Sequence, residues 1–167
     1  MYGILSLRAS VVPVHPTQNL NHIISEIKPK YILDLNRNLE IVNILTTLKE
    51  KIEIKKKSEI PFILYTSGTS GKPKGVKLSN DNIYHNIIGI DKIIGNKFLN
   101  SNIDKSVNFL PWNHCYGLTN ELFYLSYKQV PFYINSDIKK IFIDFYFQQP
   151  SIIFAVPKIY YFLFIFS

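Results

Sequence analysis

The sequence predicts an α/β domain with a largely parallel sheet and flanking helices, on three observations. Short runs rich in β-branched and aromatic residues alternate with helical patterns along the chain. One run, Phe62-Ile63-Leu64-Tyr65-Thr66, is almost continuously apolar, as suits a strand buried on both faces. That run passes without a spacer into a Gly-rich segment beginning at Ser67, so a rigid strand would present the loop.

Taken in order, Val11-Val12-Pro13-Val14 reads as the first strand. Thr17 then caps a helix in which Leu20, Ile23, Ile24 and Ile27 fall at i, i+3, i+4 and i+7, an apolar face turned inward. Pro29 ends it. Tyr31-Ile32-Leu33-Asp34 is a second strand, Leu39, Ile41, Val42, Leu45 and Leu48 carry a helical pattern, and residues 49–59 form a charged connector. Beyond the Gly-rich segment, Val76-Lys77-Leu78 is extended, and Ser79 caps a helix with Ile83, Ile87, Ile90 and Ile94 on one side. A strand over residues 107–111, a helix over 117–129, a strand over 130–134, a helix over 137–148 and a strand over 151–156 complete the alternation. No internal repeat is apparent.

The 167 residues suit one domain and are enough to bury a core. With 47% hydrophobic and 19% charged residues the composition speaks against disorder. The net charge of +7 would favour a nucleic acid if it were clustered. Only Lys55, Lys56 and Lys57 form a run, without interleaved aromatic residues, so the run reads as a solvated loop and no nucleic-acid partner is expected. Cys115 is the only cysteine, which excludes an intrachain disulfide and argues against a Cys-based zinc site. Residues 1–8 lack a basic n-region and reach Arg8 before an apolar run long enough for a signal peptide, so secretion is not expected. Asp144, Pro150, Pro157 and Lys158 break the Phe- and Ile-rich C-terminal stretch before it reaches the roughly 18 to 20 apolar residues of a transmembrane span. The expectation is a cytoplasmic protein or one at the cytosolic face of a membrane, with peripheral association as the membrane contact still open to it.

The chemistry concentrates in Tyr65-Thr66-Ser67-Gly68-Thr69-Ser70-Gly71-Lys72-Pro73-Lys74-Gly75-Val76. Gly68, Gly71 and Gly75 let the backbone turn tightly and approach a ligand, and successive N–H groups make an anion nest. Thr66, Ser67, Thr69 and Ser70 add hydroxyl donors, and Lys72 and Lys74 add positive charge, a combination suited to a polyphosphate. A Walker A loop is excluded, because Lys72 is followed by Pro73-Lys74-Gly75 where that motif needs Ser or Thr and a starting helix. A plain surface loop of turn-forming residues would not be expected to carry this order over twelve positions.

This segment resembles the signature of the adenylate-forming (AMP-binding) superfamily, which includes acyl-CoA synthetases, luciferases and the adenylation domains of peptide synthetases. Leu110-Pro111-Trp112-Asn113-His114-Cys115-Tyr116-Gly117 is similar to the Leu-Pro-x-x-His-x-x-Gly segment of its long-chain acyl-CoA synthetase branch, and Phe154-Ala155-Val156-Pro157-Lys158-Ile159-Tyr160 to its Val-Pro-Arg-x-Tyr segment. Val12-Pro13-Val14-His15-Pro16-Thr17 fits as well, so the resemblance runs through nearly the whole chain in the family's order.

The resemblance implies a partial N-terminal domain of the adenylate-forming fold over residues 1–167, without the mobile C-terminal domain. It implies that the loop holds the β- and γ-phosphates of ATP while a fatty acid carboxylate attacks the α-phosphate, and that CoA then takes the acyl group. By the same resemblance Ser67, Gly68, Thr69, Ser70, Gly71, Lys72, Lys74 and Gly75 bind the nucleotide, Thr66 also helps hold Mg2+, and His114 lies near the reacting carboxylate. On residue type alone, His114 serves equally as a structural histidine. The family's Tyr-Gly-x-Thr-Glu and Thr-Gly-Asp segments do not occur among the 167 residues. The implied activity is therefore that of a long-chain fatty acid–CoA ligase, incomplete as this chain. The alternatives are a non-catalytic nucleotide- or partner-binding remnant and another adenylate-forming ligase.

Overall fold

A computed structural model describes residues 10–15, 18–29, 32, 60–66, 73–95, 99, 103–135 and 137–165. The chain divides into two compact units, residues 1–77 and 78–167. Among the described residues no helix is long and apolar enough to cross a membrane.

In the first unit, helix α1 (Leu20–Ile27) is amphipathic and buries Ile23. Its N-cap is Asn19, whose side chain accepts from the His22 N–H at 3.1 Å. Asn is at least as good an N-cap as Thr, and it stands next to the first helical residue. Thr17, expected to fill this role, lies outside the described residues. The helix closes on Lys28 in the left-handed conformation, with Pro29 behind it. Strand β1 (Phe62–Thr66) buries Phe62, Leu64 and Tyr65, as its apolar sequence requires, and pairs with β2 (Lys74–Leu78) in a two-stranded sheet.

The strand expected over residues 11–14 reduces to a single parallel bridge between Val11 and Phe62. Val11 donates to the Pro61 carbonyl at 2.7 Å and accepts from the Ile63 N–H at 3.1 Å. Pro13 has no N–H with which to continue a ladder. The strand and helix expected over residues 31–48 and the connector after them lie outside the described residues, apart from an exposed Ile32.

The second unit begins with α2 (Asn80–Ile93). Ser79 caps it, accepting from the Asn82 N–H at 3.1 Å while the Asn82 side chain accepts from the Ser79 N–H at 2.9 Å, a reciprocal capping box. Ile87, Ile90 and Ile94 pack on a core of Leu99, Tyr124, Leu125, Val130 and Phe154. Strands β3 (Ser106–Asn108) and β4 (Phe132–Ile134) pair in parallel, Val107 opposite Tyr133, and Ile152 adds a parallel bridge to Ser106. These pairings agree with the parallel sheet expected from sequence.

The paired lengths are shorter than expected, each for a local reason. Phe109 and Leu110 send their N–H groups to a side chain and not to a neighbouring strand. Pro131 lacks an N–H, although its carbonyl accepts from Ser106 at 3.0 Å. Residues 151–156 keep only the Ile152 bridge. The helix expected over 117–129 is an α-helical turn (Cys115–Gly117), a π-helical stretch (Leu118–Tyr124) and a second α-helical turn (Leu125–Tyr127), ending before Gln129 at φ 56°. A 3-10 turn (Ile138–Lys140) capped by Asp137 leads into α3 (Ile141–Gln148), and α4 (Pro157–Ile165) follows the last bridge. Ile143, Tyr146 and Phe147 on α3, with Tyr160, Tyr161 and Ile165 on α4, are exposed, an apolar surface unusual for these residue types.

Gly117 is set by packing and not by backbone conformation, since its φ is −64°. A Cβ there would stand 2.9 Å from the Pro111 carbonyl oxygen and 3.0 Å from the Leu110 Cβ. The helical run thus crosses the Leu110-Pro111 turn at a distance only glycine allows. We expect Gly117→Ala to lower stability by about 1–3 kcal/mol through this contact, read as a lower urea midpoint; an unchanged midpoint would mean that the turn moves away freely.

Candidate functional site

Buried strand β1 ends on Thr66, which is exposed, and β2 resumes with Lys74 and Gly75, both exposed. Three of the expected ligand residues therefore share one two-stranded sheet. Ser67, Gly68, Thr69, Ser70, Gly71 and Lys72 lie outside the described residues. Gly75 packs against β1: a Cβ would meet Ile63 Cγ2 and Tyr65 Cζ at 3.1 Å and the Tyr65 hydroxyl at 3.2 Å.

Helix α1 touches both flanks of the Gly-rich segment. The Tyr65 hydroxyl donates to Glu26 Oε2 at 2.9 Å, and Gln18 Nε2 donates to the Tyr65 carbonyl at 3.3 Å. On the far flank, His22 Nε2 lies 3.2 Å from the Pro73 carbonyl, which can only accept, so that nitrogen carries the proton. His22 and Glu26 are also 3.6 Å apart, but both are substantially exposed and the pair carries little stability. Burial, then the bond to Glu26 and that carboxylate's charge, pushes the Tyr65 hydroxyl up to about 12, so it remains a donor at neutral pH.

In the second unit, His114 is exposed and is the N-cap residue of the α-helical turn at Cys115. Its N–H donates to the Pro111 carbonyl at 3.1 Å and its carbonyl accepts from Leu118 at 3.0 Å, which fixes its backbone on both sides. The second and third motif segments meet here: the Tyr116 hydroxyl reaches the Ala155 carbonyl at 3.5 Å. Burial, then Tyr160 and Glu121, raise the Tyr116 hydroxyl above its ordinary value.

The residue that sequence reading missed is Glu121. It lies inside the π-helical stretch with no exposed surface. Its Oε1 accepts from the Phe109 N–H at 3.0 Å, both oxygens accept from the Leu110 N–H at 3.1 Å, and Oε2 accepts from the Trp112 indole N–H at 3.1 Å. Its own carbonyl accepts from Asn108 Nδ2 at 2.9 Å, and Asn108 Oδ1 accepts from the Ser106 hydroxyl at 2.8 Å. The available sequence signal was a lone acid in the apolar stretch Leu118 to Leu125. Among the described residues no buried side-chain polar atom lacks a partner, and no group of three His, Cys, Asp or Glu could hold a metal ion.

Comparison with known proteins gives the class to which the chain belongs. A family model described as AMP-binding enzyme matches residues 1–165, and the chain belongs to that family. Long chain acyl-CoA synthetase 2 of Arabidopsis thaliana is 35% identical over 109 residues, 64% of this chain and 16% of that protein. The o-succinylbenzoate CoA synthetase (MenE) of Bacillus subtilis, in complex with its acyl-adenylate intermediate, superposes with a TM-score of 0.68 at 19% identity over 95% of this chain and 45% of that one. The same enzyme in complex with ATP and magnesium ion gives 0.56 at 17% identity, over 83% of this chain and 41% of that one. The structure is thus a partial α/β domain of the adenylate-forming fold, and the chain spans about a sixth of the length of the plant relative.

Enclosure pushes the Glu121 carboxyl from its ordinary 4.5 up to about 7, and the donors from Leu110, Phe109 and Trp112 offset this only in part. A carboxyl raised on folding takes up a proton, so its contribution is complete below pH 4.5 and lost as pH rises through 7. The loss amounts to on the order of 3 kcal/mol. Glu121→Gln has no such window. We expect the stability advantage of the native chain over this variant to shrink between pH 5 and pH 8.5 in urea titrations; an advantage constant across that range would refute the assignment.

Proposed function

We propose that this chain carries the ATP-gripping and acid-facing segments of a long-chain fatty acid–CoA ligase. The observation that supports this most directly is the buried strand ending on exposed Thr66, at the start of the phosphate-binding signature, with Lys74 and Gly75 on the adjoining strand. The likeness to long chain acyl-CoA synthetases supports the choice of acid, and the complex of the bacillary relative with ATP and magnesium ion supports the nucleotide.

In this reading, residues 66–75 hold the β- and γ-phosphates with backbone N–H groups, the hydroxyls of Thr66, Ser67, Thr69 and Ser70, and the ammonium groups of Lys72 and Lys74. That grip favours departure of pyrophosphate when a carboxylate oxygen attacks the α-phosphorus, leaving acyl-adenylate. The CoA thiol then attacks the acyl carbon, AMP leaves, and the thiol proton passes to solvent. Thr66 offers a single hydroxyl to Mg2+, which suits an ion that keeps most of its coordination in water and phosphate oxygens. Bound there, the ion would neutralise phosphate charge. His114 stands where the carboxylate approaches. Membrane contact, in this reading, is peripheral, and the protein works in the cytoplasm or at the cytosolic face of a membrane.

The loop's charge-assisted hydrogen bonds give roughly 5 to 10 kcal/mol gross, against an association cost of about 4 to 15 kcal/mol. Residues 1–167 alone are therefore expected to bind ATP weakly and to show no measurable pyrophosphate exchange with ATP and palmitate. Joined to the downstream segments of a long chain acyl-CoA synthetase, the chain should exchange. Lys74→Ala should then lower the rate about a hundredfold, as loss of one charge-stabilising group does. Exchange dependent on an aromatic acid and absent with palmitate would move the protein to another branch of the family. No exchange with any acid would favour the non-catalytic reading.

A further inference from the structure

Glu121 is the one fully buried acid among the described residues, and its three donors all lie in the run that leads to His114. We propose that Glu121 is the positioning residue of His114, its carboxylate clasping Phe109, Leu110 and Trp112 so that the turn at Pro111 delivers the histidine at a fixed place. This deepens the proposed reading of His114 and rests on it only for the consequence in catalysis, not for the geometry.

Three features separate such a clasp from a carboxylate that merely satisfies stray donors. First, the contacts fall on consecutive elements of one path. β3 ends at Asn108, the amides of Phe109 and Leu110 turn to the carboxylate, the Trp112 indole closes on its second oxygen, and His114 follows after Asn113, which is itself buried. Second, Glu121 holds the path at two points, because its carbonyl also takes the Asn108 side-chain amide. That grip extends to β3 through the Ser106 hydroxyl. Third, the clasp is closed from the opposite side. The His114 N–H returns to the Pro111 carbonyl, Gly117 leaves room for that same carbonyl, and the Trp112 ring stands edge-on to Phe132 at 6.5 Å.

The chemistry of the side chain matters more than its size. Above pH 7, where Glu121 is ionised, it offers acceptors only, and all the groups facing it donate. Glutamine keeps the volume but replaces one oxygen with an NH2, which sets donor against donor at Leu110 or Trp112. A π-helical stretch, often found at functional sites, lets this residue reach back to the strand exit.

The test uses the full chain at pH 8, labelled with 15N and 13C and free of nucleotide, acid and CoA. Trp112 is the only tryptophan, so its indole N–H resonance needs no assignment. His114 is identified among the four histidines by the signal lost in His114→Gln. In Glu121→Gln we expect the Trp112 indole signal to move and the Phe109 and Leu110 amides to exchange at least tenfold faster. The ring and amide signals of His114 should shift or broaden, while Ile87 and Ile90 in α2 keep their protection. If Phe109, Leu110 and Trp112 respond and His114 does not, Glu121 only satisfies buried donors and the proposal fails. Should that variant not fold, Trp112→Phe removes one donor and leaves the carboxylate. It must shift or broaden the His114 signals while Ile87 and Ile90 keep their protection, and a still His114 overturns the proposal. A ligase assay without activity would sink the proposed function but not this assignment, which the resonances of His114 decide.

Discussion

One enclosed carboxylate organises the second unit. Two consecutive amides, Phe109 and Leu110, leave the sheet at the end of β3 and would be buried or half-buried without partners. Each buried donor left unsatisfied costs about 1–3 kcal/mol, while enclosing a charge with nothing facing it costs far more. Glu121 resolves both demands at once, because its four lone-pair directions meet two amides and an indole N–H. The shortness of β3, the tight turn at Pro111, the glycine at 117 and the departure from α-helical winding over Leu118–Tyr124 all accompany that arrangement.

A second polar device ties α2 to the same helical run. Asp91 accepts from the Tyr124 hydroxyl at 3.3 Å and pairs with the Lys128 ammonium at 3.0 Å. Burial, then Asp91, pushes the Tyr124 hydroxyl up to about 12, so it remains a donor across the physiological range. Above this link the apolar core closes through Tyr124 and Phe154, whose rings meet edge to face at 6.3 Å. The π-helical stretch is thus held on one side by packing and on the other by Glu121.

The parts of the fold legible in sequence are those in which a periodic pattern and a local cap agree. For α2, Ser79 ahead of isoleucines at helical spacing predicts both the start and the inward face. For β1, an unbroken apolar run predicts burial. Strand ends were not legible, because they depend on where a few N–H groups find partners in space. Nothing local to Phe109 and Leu110 says that an acid twelve and eleven residues later accepts their hydrogen bonds. Pro13 and Pro131 carry a signal of short pairing, a missing N–H, that the strand readings over 11–14 and 130–134 did not use. At the site, the order of the family segments was legible and their contact was not, since Tyr116 meets Ala155 only through the tertiary fold. Glu121 was visible as a charge in an apolar stretch, a pattern whose commonest meaning is a satisfied polar group and whose value here comes from what it satisfies.

On the proposed reading residues 66–75 grip phosphate, and the flanks of that segment are held by more than the strand. Glycine-rich backbone is costly to order, about 1–2 kcal/mol per residue fixed, and that cost falls on ligand binding unless the ends are already held. Strand β1 fixes one end through its buried side chains. Helix α1 reaches both ends, through Glu26 to the Tyr65 hydroxyl and through His22 to the Pro73 carbonyl, one turn of helix apart. A single rigid helix with one contact at each flank fixes the spacing between them. Such contacts need little stability of their own, and the half-buried His22 and exposed Glu26 supply little. Their effect is geometric, as is that proposed for Glu121 on the turn before His114, and neither His22, Glu26 nor Glu121 lies in the segments Tyr65–Val76 and Leu110–Gly117 that carry the resemblance.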